Sequence, residues 1–178
     1  MENVNRYINL KQYFLIPLIT ILVIFVAILM LGAKDDMYEN DDITLNLNKA
    51  WMMSTDTEGS EVVFTAIDNT QTTLSIKKLE PYVFGIKAGH IMYNSVLYEG
   101  FQNNEVEELS IHDNDATCFN FKYLDNSKNE PISMVSKELV VSIDESLYSI
   151  GIYCAEAVSE KYFSNFDQLI SSLDFKNK

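Results

Sequence analysis

From Tyr13 to Leu31 the chain carries no charged side chain. The stretch "YFLIPLITILVIFVAILML" is 19 residues long, and only Pro17 and Thr20 depart from apolar or aromatic character. At 1.5 Å per residue, a helix of that length spans roughly 28 Å, close to the ~30 Å hydrocarbon thickness of a bilayer. Pro17 falls in the first turn or two, where a missing amide donor does least harm. A buried helix of a water-soluble domain normally keeps a polar stripe, and none is visible here. The stretch reads as a transmembrane helix, with 13–33 as a single-pass anchor.

The flanks orient it. Arg6, Lys11 and the amino terminus precede the span, whereas Lys34 follows it. Positive charge marks the cytoplasmic side, and acidic residues count little in that rule. Residues 1–12 are expected in the cytoplasm and the bulk of the chain outside the cell membrane. Cleavage is the competing reading. The apolar run exceeds the 7–15 residues of a signal peptide, and Leu31-Gly32-Ala33 puts a bulky leucine where a small residue is wanted. A lipoprotein signal needs a cysteine after "MLG", but Ala33 stands there, so acylation is excluded at this site. An uncleaved anchor is the expectation.

A short acidic linker, 34–42, leads into a single domain at 43–178. The chain's net charge of −13 includes +1 from residues 1–33, which leaves −14 on the remainder. Phosphate contacts dominate nucleic-acid binding and need basic surface, so no nucleic-acid partner is expected. The acidity itself favours solubility, with a cationic partner or loosely held cations as the other reading.

Periodicity places the elements of the domain. "ITLNL" (43–47) alternates as a half-buried strand does, and Trp51 and Met52 are expected to seal one end of the core. "EVVFTAI" (61–67) and "TTLSIKKL" (72–79) form a hairpin turning at Asn69, Thr70 and Gln71. After Pro81, "AGHIMYNSVLYEGF" (88–101) has helical pairs at Met92/Val96, Tyr93/Leu97 and Leu97/Phe101. Four strands follow: 107–112, 116–124, 132–143 and 147–155, the first two joined by a turn at Asp113-Asn114-Asp115. A last helix is expected to begin with Ser159 as its N-cap and to run to about Leu173, with Phe163, Phe166, Ile170 and Leu173 as its apolar stripe. The fold class is α+β: a curved antiparallel sheet covered by two helices behind the transmembrane segment.

The early Trp51, the strand-rich first half, the central helix, the four-strand meander and the closing "YFSNFDQLISSLDF" (162–175) resemble the PsbP-like superfamily over roughly 45–175. The strongest local match is the last helix, where Phe166, Ile170, Ser172 and Leu173 stand as "F...I.SL". That superfamily includes a photosystem extrinsic protein, bacterial envelope lipoproteins and a nuclear-transport factor. The resemblance implies an α/β/α sandwich and a non-catalytic accessory or binding role. It implies no photosynthetic or nuclear-transport role, because the anchor and composition look like those of a bacterial envelope protein.

The chemical inventory is sparse. His90 and His112 show no zinc spacing with Cys118 and Cys154, so no metal is expected, and no cofactor either. "DNSKNE" (125–130) lacks the sixth-position glycine of a calcium loop, and Ser136 stands where the bidentate Glu belongs. No G-x-S-x-G, P-loop or H-E-x-x-H string occurs. Aromatic residues are the surplus. Phe119, Phe121, Tyr148, Tyr153, Phe163 and Phe166 are assigned to the core. Tyr82, Phe84, Tyr93, Tyr98 and Phe101 flank the first helix, where they either pack inward or form a partner surface. The expected function is a membrane-anchored, non-catalytic extracytoplasmic binding or accessory protein that contacts another envelope protein. The alternatives are an envelope hydrolase with carboxylates gathered by the fold, first among them Glu107, Glu108, Asp113 and Asp115, or a structural subunit of a membrane complex. The two cysteines are expected as free thiols, because one strand of the meander separates theirs.

Overall fold

The computed structural model describes residues 37–176, apart from 48–49, 58–59, 69, 128–129 and 145. The tail at 1–12 and the anchor at 13–33 lie outside the described residues. Among the described residues no helix is long and apolar enough to cross a membrane.

Alternation along the strands explains the architecture. In β4 (Glu61–Ala66), Val62, Phe64 and Ala66 are buried while the residues between them are not. In β7 (Asn114–Asp125), Phe119, Phe121 and Tyr123 are buried and alternate with half-buried residues. β9 (Ser146–Ala155) is buried almost throughout, and β8 (Ile132–Ile143) over most of its length after Met134, as strands with both faces covered must be. With β3 (Trp51–Thr57), β5 (Thr73–Leu79) and β6 (Gln102–Ile111) they form one antiparallel sheet of seven strands in the order β3-β4-β5-β9-β8-β7-β6.

Each face of that sheet has its own cover. Leu139, Val141, Ile150, Ile152 and Cys154 point to one side. There they meet Tyr162, Phe166 and Leu169 of the helix α2 (Ser159–Ile170) and Ile43 and Leu45 of β2 (Ile43–Asn46). β2 lies between β1 (Met37–Glu39) and β10 (Asp174–Phe175) in a small three-stranded antiparallel sheet. Phe119, Phe121, Tyr123, Val140, Leu147 and Tyr153 point to the other side, under the helix α1 (Ile86–Leu97). Burying one large apolar side chain contributes about 1.5–3 kcal/mol, so each layer is held by several such contributions. The result is a curved antiparallel sheet with a helix on either face, as expected.

Several boundaries differ from the sequence reading. α1 ends at Leu97, because Tyr98 is already extended and Gly100 adopts a positive φ; Phe101 is therefore not on the helix. β6 starts at Gln102 rather than 107, on a polar edge strand with little alternation to reveal it. The following turn is His112-Asp113, both at positive φ, and Asn114 opens β7. Ser159 is the first helical residue rather than the N-cap; Val158 caps without a side-chain bond, and the Ser159 hydroxyl donates to the Glu156 carbonyl. Trp51 is buried against Tyr162, but Met52 faces solvent from the edge strand β3. β1 lies within the stretch read as linker.

Candidate functional site

α1 is inverted. Its buried residues are Gly89, His90 and Asn94, while Met92, Tyr93, Val96 and Leu97 are exposed. An ordinary surface helix does the reverse, turning its apolar stripe to the core. The inward side is held by hydrogen bonds and close backbone approach rather than by apolar contact alone. A Cβ on Gly89 would stand 2.4 Å from Cβ and Cγ of Tyr82, so only glycine lets the helix sit this close.

The polar contact is a buried network. His90 Nε2 lies 3.0 Å from Glu138 Oε2 on β8, and Asn94 Nδ2 lies 2.8 Å from the same ring nitrogen. The Tyr82 hydroxyl is 2.8 Å from His90 Nδ1. Ser149 of β9 donates to Glu138 Oε1, and the Tyr153 ring packs near Tyr98. His90 is 2% and Glu138 3% exposed. Burial pushes the Glu138 carboxyl upward, but the hydrogen bond and charge of His90, the Ser149 hydroxyl and the charge of Lys77 together hold it below the usual carboxylate value. Burial raises Tyr82, Tyr98 and Tyr153 above the usual phenol value. The Ser149 hydroxyl bonds the carboxylate rather than the imidazole. The network clamps a helix to a sheet.

The outer side is an apolar surface. Val96 is 89% exposed, Val83 91% and Phe84 70%, with Met92, Tyr93 and Leu97 also exposed. The five aromatics singled out in the sequence divide between the two roles. Phe84 and Tyr93 belong to the exposed surface. Tyr82 lies under Gly89, Tyr98 stacks on Tyr123 at 4.3 Å, and Phe101 packs on Phe121 at 5.3 Å; these three are half-buried. The aliphatic members of the patch, Met92, Val96 and Leu97, are those whose i, i+4 pairing marked the helix.

The four carboxylates do not converge. Glu107 and Glu108 are successive residues of β6 and project to opposite faces of the sheet. Glu108 and Asp115 line an open groove beside the start of α1, with Lys87 3.4 Å from Glu108, while Glu107 and Asp113 do not line it. Among the described residues no group of three or more His, Cys, Asp or Glu side chains could hold a metal ion. The network missed by the sequence reading left two traces: His90 and Asn94 at i, i+4 in a helix otherwise rich in apolar residues, and Glu138 in register with Ser136 and Val140 on a buried strand.

No protein-family model matches the chain, and no curated protein matches it. Solved structures do match. The cyanobacterial PsbP (CyanoP) from Synechocystis sp. PCC 6803 aligns with a TM-score of 0.58 at 14% identity, covering 79% of this chain and 92% of that one. A protein of unknown function from Pseudomonas aeruginosa, described as a putative regulator, aligns at 0.56 and 11% identity over 80% and 98% of the two chains. The Ran-binding protein Mog1p of Saccharomyces cerevisiae aligns at 0.56 and 7% identity over 78% and 94%. Identities this low establish the fold alone, and the fold is PsbP-like.

Proposed function

We propose that this chain is a membrane-anchored, non-catalytic accessory protein whose PsbP-like domain lies outside the cell membrane and contacts another envelope protein through the outer side of α1. The observation that carries the reading is the inversion of that helix. Apolar side chains of the size of Met92, Val96 and Leu97 are left in solvent while His90 and Asn94 of the same helix are buried, and contiguous exposed apolar surface marks interaction sites. The likeness in fold to Mog1p, a Ran-binding protein, supports a protein-binding role. The apolar run 13–31 and its positively charged leading flank support the anchor and its orientation. Phe84 and Tyr93 form the aromatic part of the contact; Tyr82, Tyr98 and Phe101 support it from beneath.

Two measurements test this reading. Protease added to intact protoplasts should digest the domain while leaving a protected anchor fragment. Tagged full-length chain should capture a defined protein from native membranes, and Val96→Glu should abolish that capture. A domain fully protected in protoplasts, or capture indifferent to Val96→Glu, would defeat it.

A further inference from the structure

We infer that the partner offers α1 an amphipathic helix: an apolar stripe flanked by Lys or Arg, with the cations falling at the C-terminal end of α1. The inference rests on the binding role proposed above and adds the chemistry of what binds.

Shape comes first. Met92 and Val96, and beside them Tyr93 and Leu97, form two adjacent i, i+4 rows on the solvent side of α1. Such rows are the ridges that fit between the ridges of a second helix. The helix is 12 residues long, about 18 Å at 1.5 Å per residue. Val83 and Phe84, exposed just before it, lengthen the apolar strip at its N-terminal end. A contact confined to this strip falls below the ~800 Å² per partner of a standard interface, so the complex is of the weak, exchangeable kind.

Charge supplies the rest. The last turn of α1 contains no basic residue, so the roughly half negative charge of the helix C-terminus is uncompensated within the helix. Glu99 follows at once. Of the acidic side chains between residues 80 and 108, Glu80, Glu99 and Glu108 remain for this side of the sheet, because Glu105 and Glu107 reach Asn120 and Cys118 on the opposite face; the single cation of the segment, Lys87, already lies beside Glu108. The field over the strip is therefore negative, and most so at the C-terminal end. A second copy of this chain would bring the same excess of −14 from its residues beyond 33, and anionic headgroups would be repelled likewise. A cation-flanked apolar helix satisfies both the strip and the field.

The test uses the full-length chain in phosphatidylcholine nanodiscs and two designed helical peptides, one with a leucine stripe flanked by Lys, the other with the same stripe flanked by Glu. Fluorescence anisotropy should show binding of the Lys peptide, weakening as salt rises, and none of the Glu peptide. Val96→Glu makes the domain more acidic yet should weaken the Lys peptide about tenfold or more, the loss expected on disrupting a central contact. Glu99→Lys should weaken it severalfold and flatten its salt dependence. Equal binding of the two peptides would overturn the inference. So would undiminished binding to Val96→Glu, which would mean general attraction to an acidic protein. A dimer in sedimentation that Val96→Glu dissociates would assign the strip to a second copy instead. If capture from native membranes depends on Val96 while the Lys peptide does not bind, the partner has another chemistry, and only this inference fails. If capture does not depend on Val96, the binding reading itself fails.

Discussion

His90 Nε2 stands 3.0 Å from Glu138 Oε2, joining α1 to β8 through two buried side chains. Because His90 and Asn94 occupy the inward side with Ile86 and Ile91 beside them, Met92, Tyr93, Val96 and Leu97 are left outside. The clamp and the exposed surface are two consequences of one helix orientation.

The clamp makes stability depend on acid. The Glu138 carboxyl titrates below its ordinary value in the folded state. A depressed carboxylate stabilises the fold above its unfolded pKa, near 4.3, and the contribution disappears as pH falls through the folded value. Urea unfolding followed by Trp51, the only tryptophan, should show stability falling from about pH 5 toward pH 3. Glu138→Gln should be less stable at neutral pH and lose less on acidification. Parallel pH profiles for the two proteins would show that Glu138 carries no such linkage.

Gly89→Ala separates helix propensity from packing. Alanine is favoured over glycine by about 1 kcal/mol in a helix interior. Here its Cβ meets the stem of Tyr82 at 2.4 Å, where relief requires backbone movement. Overpacking of this kind costs about 1–3 kcal/mol, so the variant should be destabilised on balance. A variant more stable than the parent in thermal melting would show that α1 sits farther from Tyr82.

Phe166 probes the opposite layer. It is buried among Tyr162, Leu169 and the β8–β9 side chains. Phe166→Ala should cost about 3–5 kcal/mol, a large part of a typical domain's stability. An unchanged denaturation midpoint would place α2 off the core.

Cys118 on β7 and Cys154 on β9 are free, with β8 between their strands. Next-but-one strands lie about 10 Å apart, beyond the ~7 Å Cα separation a disulfide tolerates. Burial pushes both thiols up to about 11. Titration of the unreduced protein in denaturant should count two thiols. Under native conditions both should react slowly, Cys154 more slowly because it is fully buried while Cys118 is half-buried. A count of zero in a monomer would contradict the strand order.

Much of the fold was legible in the sequence, because strands with covered faces carry their burial as alternation. Phe119, Phe121 and Tyr123 mark β7 by themselves, and the F-x-x-x-I-x-x-L spacing from Phe166 marks α2. The edges were less visible. β3 and the first half of β6 bury little, so their residues follow no apolar period. The site was only partly legible, for a physical reason. Periodicity identifies the apolar side of a helix, and the inference that this side faces the core holds only when nothing pays to bury the other one. Glu138, 48 positions away from His90, supplies that partner, and only the sheet register brings the two together.

The central claim is that the outer side of α1 is where this protein is bound. Site-directed photocrosslinking in intact cells tests it most directly, with a photoreactive residue at Val96 or Leu97 and, as reference, at the exposed Gln168 on α2. The account predicts one discrete adduct from positions 96 and 97, to the same protein, and none from 168. Adducts from 168 with none from 96 and 97, or no adduct from any of the three, would contradict it.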